Sequence, residues 1–443
     1  MPELWHCDRP ALLNELIHTR YFVMKRVVII GMGFAGVRAA RELAGKGLEV
    51  LMLDRNNYHL FQPLLYQVAT AALEQESIAY PIRAMARRWP EARFRLAEVC
   101  GVDLENKKIM TSEGVIPYDY LIVSAGSATN FFGMDAIEKH AYDLKRLEHA
   151  ETLRNQILGL FERAVKEHDP ERRRAMLTFA IVGGGPTGVE FAGSLVELVR
   201  YVLSKDYPEL SITESRVMLI EAADTILASQ PEDLRNYAIA RLRRMGVEVL
   251  LNTKVSDAAE EHVVLGDGTV VPTHTLFWSA GVKAAPLAGV LDVPKGGGGR
   301  IKVKSDLTIQ EYPDVYVVGD MAWCEQDGAV LPMVAPVAMQ MGAYAGKSIL
   351  ARQVGRDLPP FRYQDKGSMA TIGRSSAVAS AFGLKLTGYL AWAAWLALHL
   401  MYLIGFRNRI LVIMNWAWYY LFHERQVRLI TMPEAGPPQC TWK

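Results

Sequence analysis

The sequence predicts an α/β fold of two Rossmann-like domains followed by a helical C-terminal region. Three observations predict it. A GxGxxG turn occurs twice, each time leaving a β-branched run and entering an Ala-rich stretch of helical character. After each turn come an apolar run ending in an acidic residue and, later, an apolar run ending in Ala-Gly. The chain closes with two aromatic, uncharged runs.

The first turn follows Val27–Ile30 and reads Gly31, Met32, Gly33, Phe34, Ala35, Gly36. In this context the first Gly allows the tight turn and the second lets the backbone approach a pyrophosphate. The third packs helix on strand, and the helix N-terminus faces the phosphates. The run Glu49–Leu53 ends at Asp54, beside Arg55, where a carboxylate accepts hydrogen bonds from ribose hydroxyls. A further run, Tyr120–Val123, stops in the small residues Ser124, Ala125 and Gly126, as chains do where backbone passes close to a ligand. This unit is assigned to residues 24–140. Residues 1–23, with Glu3, Asp8 and Glu15 and no long apolar core, read as an extension that is neither a secretory signal nor a functional element.

The second turn follows Phe179–Val182 and reads Gly183, Gly184, Gly185, Pro186, Thr187, Gly188. Its acid is Glu221, after Arg216–Ile220. The interval exceeds the ~20 residues usual for this motif, so a longer helix and a loop are expected between Tyr201 and Ser215. A carboxylate here repels a 2′-phosphate and favours NADH over NADPH. Thr275–Trp278 then leads into Ser279, Ala280 and Gly281. The unit is assigned to 141–295, entered through a charged helical stretch. Two dinucleotide sites on one chain imply electron transfer between them.

Beyond a turn at Gly296–Gly299, a strand ends in Gly319-Asp320. The acid is placed to hydrogen-bond a polyol such as the ribityl chain of a flavin. The first dinucleotide is therefore read as FAD, and its domain as discontinuous, resuming over 296–375. A helix is expected soon after Asp320.

Net charge is +1, with 22% charged and 50% hydrophobic residues, so there is no global basic field and no nucleic-acid partner is expected. Cys7, Cys100, Cys324 and Cys440 are too scattered for a thiol relay, a disulfide framework or a metal site. A reducing compartment is expected and no metal is assigned; His399 and His423 read as helix or interface residues. The region 376–443 holds Leu386–Phe406, without Asp, Glu, Lys or Arg but with Tyr389, Trp392, Trp395 and Tyr402. A second such run, Ile410–Phe422, contains Trp416, Trp418, Tyr419 and Tyr420, and Lys385, Arg407, Arg409, Arg425 and Arg428 outnumber Glu424 around both. Aromatic faces edged by cations suit a lipid headgroup interface. The first run just reaches the ~20 residues a spanning helix needs; a monotopic anchor on the bilayer surface is the preferred reading, ahead of a span or a protein-covered face. Either membrane reading implies a lipid-soluble partner.

With these parts assembled, the chain resembles the type II, non-proton-pumping NADH:quinone oxidoreductases. The resemblance is carried by Asn57–Ala69, Gly185–Gly193, Asp365–Arg374, Gly405–Arg409 and Asn415–Trp418. It implies a glutathione-reductase-like pair of domains with a membrane-anchoring tail, on the cytoplasmic side of the cell inner membrane. It implies hydride transfer from NADH to FAD, then two-electron reduction of a membrane quinone. The family's quinone signature, Ala-Gln-x-Ala-x-Gln, stands here as Ala335-Pro336-Val337-Ala338-Met339-Gln340, with its first Gln replaced; Ala338 is added to the FAD set. Glu190 is placed between nicotinamide and flavin, with a carboxylate complementing the helix dipole as the plainer alternative. Gln340 and Lys366 are candidates near the flavin pyrimidine edge and the quinone. Tyr66 and Gln67 are read either as flavin neighbours or as core. Ser194 stands where the family often has Glu. A homodimer is left open.

Other functions stay in play. A sulfide:quinone oxidoreductase needs cysteines to carry sulfur, and none of the four stands near a fingerprint. Other FAD/NAD(P)H reductases lack the aromatic tail, and a slow-turnover flavin- and NADH-binding sensor would fail to reduce a quinone rapidly.

Overall fold

The computed structural model describes residues 24–431. The N-terminal extension with Cys7, and 432–443 with Cys440, lie outside the described residues.

Two five-stranded parallel sheets dominate. The strands are β1 (Arg26–Ile30), β2 (Glu49–Asp54), β3 (Ala92–Leu96), β4 (Tyr120–Val123), β5 (Ala141–Tyr142), β6 (Thr178–Val182), β7 (Arg216–Ile220), β8 (Val247–Leu250), β9 (Thr275–Trp278) and β10 (Val315–Val317). The first sheet runs β10-β4-β1-β2-β3 and the second β5-β9-β6-β7-β8. Strands such as β4, β6 and β9 are mostly apolar and buried throughout, because helices cover both faces of a parallel sheet. Each half also inserts a three-stranded antiparallel excursion just before the strand that leads to its Ala-Gly turn: Val99–Asp103, Lys108–Thr111 and Gly114–Pro117 before β4, Val255–Ala258, His262–Leu265 and Val270–Pro272 before β9. The first sheet is completed by β10, which lies in the chain after the whole of the second.

The principal helices are α1 (Phe34–Leu43), α2 (Leu65–Ala69), α3 (Leu147–Ala164), α4 (Pro186–Leu198) and α5 (Ala335–Gln353). After α4 the chain stays helical through a π-turn, Val199–Leu203, to Asp206, which absorbs the long interval before Glu221. A hairpin of Glu325–Gln326 and Ala329–Val330 separates Asp320 from α5. Helix α5 lies against α1 backbone to backbone: a Cβ on Gly342 would collide with the carbonyl of Ala35, and one on Gly346 would press on Ala39 and Glu42. The segments after the two Ala-Gly turns, Ser127–Thr129 and Val282–Ala284, pair antiparallel and so join the halves.

The C-terminal part divides differently from the charge pattern. Strands β11 (Ser368–Thr371), β12 (Ala377–Ala381) and β13 (Leu384–Thr387) form one antiparallel sheet, so a boundary between 375 and 376 cuts paired strands. The uncharged run Leu386–Phe406 is not one helix either. It comprises the end of β13, α6 (Gly388–Tyr402) and a turn into α7 (Phe406–Phe422) at Gly405, whose φ is +96°. Arg409 donates to the carbonyls of Leu403 and Met401, capping α6, while Asn408 donates to those of Glu76 and Ala79. Among the described residues no helix is long and apolar enough to cross a membrane. Nor do the cations form a free basic rim. Lys385 pairs with Asp233, Arg425 with Glu197 and Arg428 with Asp206.

Replacing Gly342 by Leu is expected to force α5 off α1 at a cost of about 1–3 kcal/mol. A lower melting temperature together with fewer flavins per chain would record it.

Candidate functional site

The two glycine turns have the same geometry. Gly31 and Gly183 take φ of +92° and +108°, and a Cβ on either would strike the backbone that follows β4 or β9. A Cβ on Gly36 or Gly188 would collide with the carbonyl of Gly31 or Gly183, so each helix starts against its own strand. At Gly33 and Gly185 a Cβ would meet nothing within 4 Å, which leaves that side of the backbone clear for a pyrophosphate. The acids complete the correspondence. Asp54 accepts from the amides of Met32 (2.7 Å) and Asn56 (2.8 Å), and Glu221 from those of Gly184 (2.5 Å) and Ala223 (2.8 Å). Burial holds the Asp54 carboxyl above its usual range, although both amides and Arg55 pull it down. These cradles fit two dinucleotides.

Other expected residues converge on the first turn. A Cβ on Gly319 would stand 3.3 Å from that of Ala338 and 3.5 Å from that of Ala35, so α1, the Gly-Asp turn and the start of α5 meet there. Asp320 accepts from Ser127 Oγ (2.7 Å), which accepts in turn from Lys145 Nζ (3.2 Å). Burial pulls Lys145 below the ordinary lysine range even though Asp320 and Asp143 lie near. Ser127 and Lys145 were missed in the sequence, since only folding brings them to Asp320. The ring of Phe34 sits edge-on to His59 and Phe61, and His59 Nδ1 donates to the Met32 carbonyl (2.8 Å).

Pro336 stands in the first turn of α5, where a missing N–H costs no helical hydrogen bond, so the departure from the signature is structurally neutral. The Gln340 side chain is committed: its amide donates to the carbonyl of Gln364 (2.9 Å) and its oxygen accepts from the Gln364 amide (3.0 Å). Lys366, two residues on, is exposed.

Glu190 lies in α4, shortly after the second turn, and is 8% exposed. It accepts from the Thr371 amide (3.2 Å). Burial without a neighbouring cation pushes its carboxyl up to about 8, while Thr371 and Trp395 pull modestly downward. It is therefore protonated near neutral pH, unlike a carboxylate that complements a helix dipole. Tyr66 and Gln67 are buried beside it; the hydroxyls of Tyr66 and Thr371 hydrogen-bond (3.0 Å), and Gln67 donates to Tyr66 (3.0 Å) and accepts from Trp416 Nε1 (2.7 Å). The segment Asn57–Ala69 thus touches both turns' surroundings, through His59 and through Tyr66. Ser194 meets Thr70, hydroxyl to hydroxyl (2.7 Å). The ring of His399 stacks on Trp395 and burial lowers it to about 4, so it is neutral packing. His423 contacts Arg374. Cys100 is exposed and Cys324 is buried in the core.

A group with a raised folded pKa stabilises the fold below its unfolded value, and that contribution fades as pH rises through the folded one. For Glu190 the window runs from about 4.5 to about 8. Wild-type stability is expected to fall across this window more steeply than that of Glu190→Gln; urea midpoints of both at several pH values check this.

Known proteins agree with this geometry. Residues 25–342 match the pyridine nucleotide-disulphide oxidoreductase family, and 366–425 match the NDH2 C-terminal domain. Type II NADH:quinone oxidoreductase Ndh of Mycobacterium tuberculosis is 39% identical over 425 residues, covering 93% of this chain and 91% of that one. The internal alternative NAD(P)H-ubiquinone oxidoreductase A1 of Solanum tuberosum mitochondria is 32% identical, covering 88% and 85%. The structure of NDH2 from Plasmodium falciparum in complex with NADH shares the fold, with a TM-score of 0.84 at 19% identity over 92% of this chain and 100% of that one. The sulfide:quinone oxidoreductase of Aquifex aeolicus shares it more distantly, at 0.69 and 15% over 92% and 96%. With two dinucleotide cradles on one chain, and with relatives this similar along nearly its whole length, this chain belongs to the type II NADH:quinone oxidoreductases of the pyridine nucleotide-disulphide oxidoreductase family.

Proposed function

We propose that the chain oxidises NADH and reduces a membrane quinone from the cytoplasmic surface of the inner membrane, without translocating protons. One observation carries this: two acid-terminated phosphate turns stand on a scaffold that also presents an exposed apolar stripe. Leu390 and Met401 of α6, and Phe406, Ile410, Ile413, Met414 and Leu421 of α7, are all exposed, the latter at helical spacing on one face. Such a stripe sinks some 5–10 Å into a headgroup region. Arg407 stands exposed at its edge.

In this reading the first turn, Asp54, Arg55, Ala125, Gly126, Asp320 and the start of α5 with Ala338 hold FAD. The second turn, Glu221, Ala280 and Gly281 hold NADH. FAD bound there would supply the two-electron redox chemistry that links the nicotinamide to the quinone. Glu190 keeps a proton beside the reacting rings and excludes charge there. Lys366 offers a cation to oxygen that gains negative charge, and Gln340 positions the Lys366 loop through Gln364. Among the described residues, Cys100 and Cys324 form no disulfide with each other.

Anaerobic titration is expected to bleach the flavin with stoichiometric NADH, much more slowly with NADPH, and to restore it with a soluble quinone. Bleaching by sulfide but not by NADH would overturn the proposal. The double change Ile413→Glu with Leu421→Glu is expected to weaken binding to anionic vesicles roughly a hundredfold, while reduction of a soluble quinone persists; co-sedimentation measures the loss.

A further inference from the structure

The hairpin of β12 and β13 closes in a way that turn chemistry does not favour. Ala381 pairs with Leu384, which leaves Phe382 and Gly383 as a two-residue tip with φ of +53° and +77°. Positive φ at both positions is the pattern of a type I′ turn, whose first residue is ordinarily Asn, Asp or Gly. A bulky side chain is strained there. The Phe382 ring gains little from the protein in return, being 85% exposed, and Leu384 beside it is 64% exposed. The hairpin is nevertheless held up to its last pair. A Cβ on Gly367 would collide with the Ser380 carbonyl and the Ala381 backbone, and Lys385 pairs with Asp233 (2.9 Å). Leu384 shares a face of the sheet with Leu386, Ala379 and Ala377, which α6 covers through Ala391 and Trp392. That cover ends before Leu384. A local rule broken with no compensating contact marks a functional position.

We infer that Phe382, with Leu384, is a second point of insertion into the bilayer, apart from the stripe on α6 and α7. The inference rests on the membrane reading proposed above. Aromatic contacts link the hairpin to that stripe. Tyr389 and Leu390 stand exposed where β13 enters α6, and the Tyr389 ring lies against Trp392 (5.6 Å between centroids). Trp392 in turn stacks on Tyr420 of α7 (5.7 Å), next to the exposed Leu421 and Phe422. Size selects lipid over a second copy of the chain. A phenylalanine side chain offers about 150–250 Å², far below the ~800 Å² per partner of a stable protein interface. A bilayer takes single apolar side chains and asks for no matching shape. A second point also does what the stripe alone cannot. The tip stands beyond α6 by the length of β13, roughly 13 Å. Insertion at that distance limits how far the stripe can tilt or roll on the surface, and so sets which side of the protein faces lipid.

Phe382→Asn separates a role in lipid from a role in the fold. Asparagine suits positive φ and the Asn-Gly turn, so the melting temperature of the variant is expected to hold or rise. Its binding to vesicles of phosphatidylcholine and phosphatidylglycerol is expected to weaken about tenfold, through the loss of one apolar side chain from the lipid. Adding Leu384→Thr, which keeps a strand former, should deepen the loss, while reduction of a soluble quinone persists. Para-cyanophenylalanine in place of Phe382 reports the surroundings of the ring directly, because its nitrile stretch shifts when hydrogen bonds from water are lost. Such a shift on adding vesicles supports insertion. Wild-type affinity in Phe382→Asn, or a nitrile that stays hydrated on vesicle-bound protein, would overturn it. So would a nitrile that dries with rising protein concentration in the absence of lipid, together with a smaller oligomer in Phe382→Asn, since the tip would then belong to a contact between copies. Failure of the wild-type chain to bind vesicles sinks the membrane reading itself; normal wild-type binding that Phe382→Asn leaves unchanged sinks only the tip.

Discussion

A helix that begins in a phosphate-binding turn has little freedom to move, and α4 begins in one. Gly183 touches the backbone after β9, and Gly188 brings the helix onto the carbonyl of Gly183. Everything further along α4 inherits that placement. The carboxyl of Glu190 is set beside the turn, and Ser194 and Glu197 follow on the same side. The cost of burying a carboxyl without a cation is then imposed on the surroundings, and three distant pieces of chain, α2, β11 and the C-terminal helices, close over it. That burial, rather than any unusual residue, keeps a proton on Glu190 near neutral pH.

The two halves are near copies in topology but not in what covers them. The first turn is met by α5, through Ala35 and the glycines of that helix. The second is met by the segments that bury Glu190. A helix clamped backbone to backbone suits a cofactor that stays. The antiparallel pair Ser127–Thr129 and Val282–Ala284 keeps the two in a fixed relation.

The parallel sheets, the turns and their acids were legible because their signals are local: β-branched runs, glycines at fixed offsets and a carboxylate at a strand end. What escaped was long-range. Lys145, Ser127 and Asp320 come from three separate stretches and carry no common pattern. The face formed by Glu190, Ser194 and Glu197 does have a helical spacing that the sequence displays, but the partners that bury it are hundreds of residues away or in the tail. In the C-terminal region the charge pattern showed the run but not its elements. Absence of charge marks a continuous apolar run, yet the run holds the end of β13, then α6, which Arg409 caps, then the turn at Gly405. Charge counting likewise could not show that most of the cations are used within the chain.

That internal use of charge has a consequence for how the protein meets a bilayer. Asn408, Arg409, Asn415 and Trp416 fasten α7 by directional hydrogen bonds to protein groups. The tail's conformational entropy is therefore lost during folding, not at the moment of adsorption. On the proposed membrane reading, α6 and α7 would meet lipid as a finished surface, and docking would be a rigid-body partition driven by apolar area. On that reading, docking of this kind would leave both nucleotide cradles as folded.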